Sequence, residues 1–236
     1  MTYQLISIVL PIYRQAGEIE GIVRDYERRL SELSIPHELV LVLNGPDDGG
    51  DAICDGLAAE FASVRVMRIA GSGWGEAVRE GIRDARGDLI CYTNSARTDI
   101  ETLMIMLDLA ITLPGIVIKA NRKTRDSVFR HLGSLLYNLE CRSLFDLSNF
   151  DINGTPKLFP GEFQSLRSLQ SRDDLIDAEF LATCRREGHL VLEVPVVLTR
   201  RRGGVSTTNV VSAARMYLGV VLLAARLRVR RNAAQE

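Results

Sequence analysis

Residues 87–99 read GDLICYTNSARTD. A short apolar run, residues 89–92, passes directly into a polar turn, and the same passage recurs along the first half of the chain. Residues 6–10, 39–43 and 64–69 are further runs rich in Ile, Val and Leu. The stretches between them carry helical spacing, as in Ile19, Ile22, Val23, Tyr26 and Leu30, the period of a helix with one apolar face. Strands alternating with helices predict a parallel sheet covered on both faces. Ligands of such sheets bind beyond the carboxyl ends of the strands. The segments that matter for function are therefore 11–15, 44–48, 71–76 and 94–99.

The second half is more mixed. Residues 116–120 read as a strand, 127–145 as a long amphipathic helix and 157–159 as a short strand. A helix opened by acidic residues is expected over 173–187, since carboxylates suit the positive end of the helix dipole. Residues 190–198 form an edge-type strand carrying Pro195, and 210–229 close the chain as a helix.

The 236 residues, 46% hydrophobic and 25% charged, suffice for one sizeable core. With no Pro/Ser/Gly-rich linker and no repeat, one domain over residues 1–209 and a basic amphipathic appendage over 210–236 are expected. A formal net charge of -1 gives no global attraction for nucleic acid, and none is expected as a partner. The charge is uneven, however: between Arg200 and Arg231 lie eight arginines and no carboxylate. Cys54, Cys91, Cys141 and Cys184 are far apart without Cys-x-x-Cys spacing, which argues against a zinc site or a disulfide framework and fits a reduced cytosolic compartment. The first apolar stretch has no basic flank and contains Pro11, unlike a signal peptide. The longest later run, residues 216–225, is short of the roughly 20 residues a spanning helix needs. The closing helix, with Arg215, Arg226, Arg228, Arg230 and Arg231, reads as a membrane-surface element, or as one packed on the body of the protein or on a second subunit.

Several motifs lie at the predicted strand ends. The first strand ends in Pro11-Ile12-Tyr13-Arg14-Gln15. The second is followed by Asn44-Gly45-Pro46-Asp47-Asp48, which also reads as a strong turn and helix cap. Gly71-Ser72-Gly73-Trp74-Gly75 opens a helix whose apolar face is Trp74, Ala77, Val78, Gly81, Ile82 and Ala85. Glycines let backbone N–H groups approach a ligand, and a helix N-terminus favours anions. A dinucleotide-binding turn is the competing reading, but its glycine fingerprint belongs after the strand that opens a βαβ unit. Asn94-Ser95-Ala96 follows the fourth strand. Further on come Asp151-Ile152-Asn153-Gly154-Thr155-Pro156-Lys157, Asp177-Ala178-Glu179-Phe180 and Arg201-Arg202-Gly203-Gly204-Val205-Ser206.

Taken in order, these segments resemble a family 2 glycosyltransferase of the GT-A type, most closely its polyprenyl-phosphate, dolichol-phosphate mannose synthase-like branch, over roughly residues 4–210. The resemblance implies a three-layer α/β/α GT-A fold with a mostly parallel central sheet and a C-terminal helix. It further implies a nucleoside-diphosphate sugar donor, a polyprenyl-phosphate acceptor and inversion at the anomeric carbon. Carried onto this sequence, Pro11, Tyr13 and Gln15 lie against base and ribose, and Asn44 and Asp48 stand in the base-reading loop. Gly73 and Gly75 match the family's Asn-x-Gly-x-Gly-x-Ala, with Gly71 at the Asn. Asn94 and Ala96 occupy the ends of the usual Asp-x-Asp metal motif. On the acceptor side, Lys157, Arg202 and Ser206 would meet phosphate, Asp177 would act as general base or orienter, and Arg201 would neutralise the leaving diphosphate.

The departures lie on the donor side. Mg²⁺ and Mn²⁺ prefer anionic oxygen ligands, and an amide, a hydroxyl and a methyl supply no charge. Binding of Mg²⁺ or Mn²⁺ is therefore expected to be weak, with Asp99 as the nearest spare carboxylate unless it caps the helix that follows. Two readings stay open. One is an active transferase with little or no metal dependence, acting as a peripheral protein on the cytoplasmic face of a membrane. The other is a catalytically silent GT-A domain that binds a ligand or a partner.

Overall fold

The computed structural model describes residues 2–122, 128–197 and 210–233. The apolar runs form strands β1 (Ile6–Ile12), β2 (His37–Asn44), β3 (Val64–Ile69) and β4 (Leu89–Tyr92). They are separated by helices α1 (Ile19–Leu30), α2 (Gly50–Glu60) and α3 (Trp74–Asp84). Helix α4 (Ile100–Thr112) leads to β5 (Val117–Arg122), and α5 (Val128–Phe145) to β6 (Lys157–Pro160). The short α6 (Gln164–Arg167), α7 (Ile176–Glu187), β7 (Val191–Val196) and α8 (Val210–Ala233) complete the order.

The strands form one seven-stranded sheet in the order β3-β2-β1-β4-β6-β5-β7. All neighbours are parallel except β6, which runs antiparallel to both β4 and β5. The expected edge strand is β7, at the end of the sheet beside β5. Pro11 does not end β1, which continues to Ile12. Pairing with β4 stops at Val9, and Pro11 pairs only with Val42 of β2, so the missing N–H interrupts no ladder on the β4 side.

Alternation along the strands divides the core. Ile6, Ile8, Leu10 and Ile12 pack with α1, α2 and α4 on one face. Val9, Val42, Ile90 and Tyr92 pack with α3, α5, α7 and α8 on the other. Helix α3 lies so close to the sheet that a Cβ at Gly81 would stand 2.3 Å from Val9 Cγ1 and 2.9 Å from Val42 Cγ2. Helix α7 starts at Ile176 rather than at the acidic pair, leaving Asp173 and Asp174 in the turn before it, where Asp173 Oδ1 accepts from Leu175 N at 3.1 Å. Helix α8 rests on the body through Val220, Leu223 and Ala224, and Tyr217 Oη donates to Gly133 O of α5 at 2.6 Å. All four cysteines are free and buried. No helix among the described residues is long and apolar enough to cross a membrane.

Two glycines test this packing. Gly81→Ala should lower the unfolding free energy by about 1–3 kcal/mol through overpacking. Gly56→Ala, in α2 with nothing within 4 Å of its added Cβ, should raise it by about 0.4–1 kcal/mol by restricting the unfolded chain. Chemical denaturation of the two variants reads both signs.

Candidate functional site

The loops after β1, β2, β3 and β4 meet at the carboxyl edge of the sheet and are stitched together by the side chains of 11–15, 44–48 and 94–99. Asn44, buried at the end of β2, donates from Nδ2 to Ile12 O at 2.8 Å and accepts from Gly73 N on Oδ1 at 3.2 Å. One amide thus joins three strand ends, a task that needs both a donor and an acceptor. Asp48 accepts from Ala16 N at 3.1 Å and from Gly50 N at 3.2 Å, tying the second loop to the first. Tyr13 lies under Gly45, whose φ of 95° leaves the face beneath it free: a Cβ there would fall 2.5 Å from Tyr13 Cε2.

The tripeptide Asn94-Ser95-Ala96 forms a self-contained turn. Asn94 Oδ1 accepts from Ala96 N at 3.1 Å, and its carbonyl accepts from Arg97 N and Thr98 N. Ser95 Oγ donates to Gln15 Oε1 at 2.8 Å and lies 3.3 Å from Pro11 O. Gln15 is 3% exposed, with Oε1 turned to Ser95. Asp99 caps α4, accepting from Thr102 N at 3.2 Å. Among the described residues no group of three His, Cys, Asp or Glu side chains is placed to hold a metal. The donor set of this loop is neutral and already engaged, so it does not fit a hard divalent cation. A recess of about 410 Å³ between α4 and β7, lined by Asp99, Thr102, Ile105 and Val194, lies on the α4 side of the sheet.

The other side of the site is built on Asp177, 2% exposed in the first turn of α7. Its Oδ2 accepts from Trp74 Nε1 at 3.1 Å, and its Oδ1 accepts from Tyr92 Oη at 2.8 Å and from Lys157 Nζ. Glu179, two residues on, turns away and accepts from Ser171 N at 2.6 Å and Gln170 N at 3.1 Å. The glycine-rich loop packs against the turn before α7 so closely that a Cβ on Gly75 would lie 2.0 Å from Asp173 O. Asp174 beside it is half-buried, and its pKa is raised by burial first and then by Asp177 and Asp173.

Lys157 is wholly buried, its ammonium 5.3 Å from the Tyr92 ring centre and 5.9 Å from that of Phe180. Its ammonium is engaged by Asp177. It belongs to a row running across the sheet in register, Tyr92 to Lys157 to Lys119 to Glu193. Lys119, also fully buried, donates to Glu193 Oε1 at 2.7 Å. Burial pushes the Lys157 pKa down to about 8 from its ordinary 10.5; Asp177 opposes the shift and Lys119 adds to it. Next to the row, Arg122 forks onto Asp151 at 2.6 and 2.8 Å, which fixes the start of the 151–157 segment. Arg201, Arg202 and Ser206 lie outside the described residues.

Tyr92, Lys119 and Glu193 belong to this cluster and were not marked in the sequence, where Trp74 read only as part of an apolar helix face. Lys119 left a signal, a charge inside an apolar strand, because a buried lysine requires a partner. Its partner, 74 residues away on β7, left none.

A family model described as Glycosyl transferase family 2 matches residues 7–95. The undecaprenyl-phosphate 4-deoxy-4-formamido-L-arabinose transferase of Pseudomonas fluorescens is 26% identical over 137 residues, 57% of this chain and 40% of that protein. Glycosyltransferase AglD of Haloferax volcanii is 29% identical over 203 residues, 81% of this chain and 32% of that one. This chain thus spans less than half the length of these relatives. Among solved structures, glucosyl-3-phosphoglycerate synthase from Mycobacterium tuberculosis, in complex with Mn²⁺, uridine diphosphate and phosphoglyceric acid, superposes with a TM-score of 0.72. The match is 17% identical and covers 94% of this chain and 78% of that one. The fold is GT-A.

The buried lysine gives a pH prediction. From about pH 8 to about pH 10 the unfolded chain holds a proton that folded Lys157 has released, so this residue's contribution to stability rises with pH. Relative to Lys157→Met, wild type should gain roughly 2 kcal/mol across that window, as read by denaturant unfolding at each pH.

Proposed function

We propose that this chain, whose residues 7–95 match the family 2 glycosyl transferase model, transfers a sugar from a nucleoside-diphosphate sugar to a polyprenyl phosphate. The observation that carries this reading is the convergence of two halves at one sheet edge. The amide-stitched loops and the glycine-opened N-terminus of α3 lie on one side, and the Asp177 cluster on the other. Relatives that act on undecaprenyl phosphate support the acceptor class, and a fold neighbour solved with uridine diphosphate supports the donor class.

In this reaction an acceptor phosphate oxygen forms a bond to the anomeric carbon while the bond from that carbon to the diphosphate oxygen breaks, with inversion. The nucleophile is already anionic, so it needs little proton transfer. The rate then depends on alignment of the two reactants and on stabilising the charge of the leaving diphosphate. The first-turn amides of α3 supply part of that stabilisation, and Arg201 and Arg202 are the cations proposed to supply the rest. Asp177, closed off by three donors, orients its neighbours rather than removing a proton. The neutral residues at 94–96 do not fit a hard divalent cation.

The proposed membrane attachment uses α5 and α8. Leu135, Leu136 and Leu139 of α5 and Leu218, Val221 and Leu222 of α8 are 50–72% exposed, although the opposite face of α8 is in the core. An apolar ridge on two packed helices, with Arg226 and Arg228 in the sequence of α8, suits the anionic surface in which a polyprenyl phosphate resides.

Two measurements test these readings. Purified protein with undecaprenyl phosphate and a panel of UDP- and GDP-sugars should yield lipid-linked sugar, with product falling less than about tenfold on adding chelator. Nucleotide binding without turnover for any donor would favour a silent binding domain. Separately, Leu218→Ser with Leu222→Ser should weaken partition onto phosphatidylglycerol vesicles at least about tenfold. Unchanged partition, with a dimer lost in the same variant, would assign the ridge to a second copy of the chain.

A further inference from the structure

Trp74 is the one tryptophan of the chain, and it occupies the middle of the glycine-rich loop. Gly73 before it is held by Asn44 Oδ1. Gly75 after it is pressed against the backbone of Arg172 and Asp173 with no space for a Cβ. The side chain leaves the loop and crosses to α7, where the indole N–H meets Asp177 Oδ2 at 3.1 Å. Its ring centre lies 6.3 Å from that of Tyr92, which donates to the other oxygen of the same carboxylate. The residue is partly exposed, whereas Tyr92, Lys157 and Asp177 below it are closed to solvent.

This arrangement uses a tryptophan for three separate properties. Its length spans from the α3 N-terminus to α7, its flat body fills the space over Tyr92, and its single donor is directed at one carboxylate oxygen. A phenylalanine would supply the body without the donor. A hydrogen bond to a buried carboxylate in a fully satisfied cluster is directional and costly to leave unmade. Movement of the loop by a few tenths of an ångström therefore reaches Asp177 directly.

We propose that Trp74 is a positioning residue that couples the glycine-rich donor loop to Asp177, so that occupancy of the loop and the setting of the acceptor-side carboxylate change together. This inference rests on the glycosyltransferase reading for its purpose, but the coupling itself is a mechanical property of the fold. Donor diphosphate seated on the first-turn amides of α3 would draw on the same backbone that carries the indole. Asp177 would transmit the shift to Tyr92 and Lys157, and Lys157 stands beside Lys119 in the charged row.

The test uses the single indole N–H resonance of the ¹⁵N-labelled chain, which has no other tryptophan to overlap it. With uridine diphosphate as probe, and binding followed independently by calorimetry, the resonance should shift and saturate at the calorimetric midpoint. Binding with an unmoved resonance overturns the coupling and leaves the glycosyltransferase reading standing. If uridine diphosphate and guanosine diphosphate both fail to bind, that reading is what suffers, and the coupling is judged on the free protein. There, Asn44→Ala, which releases Gly73, should shift the indole resonance and speed its solvent exchange at least about tenfold; an unchanged resonance in a folded variant overturns it. In turnover, Trp74→Phe should lower kcat about tenfold with donor KM within about threefold. A variant with the wild-type kcat also overturns the inference.

Discussion

The carboxylate of Asp177 is where the layers of this molecule meet. It receives an indole N–H from the loop that opens α3, a phenol from the end of β4 and an ammonium from the start of β6. A carboxylate excluded from water requires such partners, since an unpaired buried charge costs several kcal/mol. Each partner in turn holds an element in place. Without Asp177, Lys157 would be a buried cation beside Lys119 with no carboxylate against it.

The row of charges under it extends this constraint across half of the sheet. Parallel strands covered on both faces are ordinarily uniformly apolar, yet here Tyr92, Lys157, Lys119 and Glu193 stand opposite one another on four adjacent strands. A buried ion pair gives little net stability over a well-packed apolar pair, because desolvation offsets most of the attraction. Its effect is on geometry. The antiparallel strand β6 can enter an otherwise parallel sheet in one register, the one that places Lys157 between Tyr92 and Lys119 and beneath Asp177.

The donor side is governed by neutral groups. Where carboxylates and a cation would draw the loops together by charge, this chain uses Asn44 between Ile12 and Gly73, Ser95 between Pro11 and Gln15, and Asp99 as a helix cap. The loops are ordered by hydrogen bonds among themselves, so their geometry does not depend on a metal. The same bonds account for the burial of Gln15 and Ser95. In the proposed reaction, helix-end amides and cations would meet the charge of the leaving diphosphate.

The first half of the fold was legible in the sequence because each strand there is a short apolar run bounded by turns, and the segments between carry helical apolar spacing. The order of the sheet followed less directly: residues 157–159 read as a strand, but nothing local states that it runs antiparallel between β4 and β5. Pro11 read as a strand terminator and lies inside β1, because whether a missing N–H matters depends on which neighbour pairs there. By itself the sequence determined an α/β chain with its candidate residues at four strand ends, since periodicity and turn chemistry are local. Only the tertiary structure decided that Asp177 is closed by Trp74, Tyr92 and Lys157, that Lys157 faces Lys119 rather than solvent, and that α8 keeps an apolar face on each side. These are contacts between residues 20 to 103 positions apart, and the partner of a buried charge is chosen by where the chain returns in space, which no local pattern encodes.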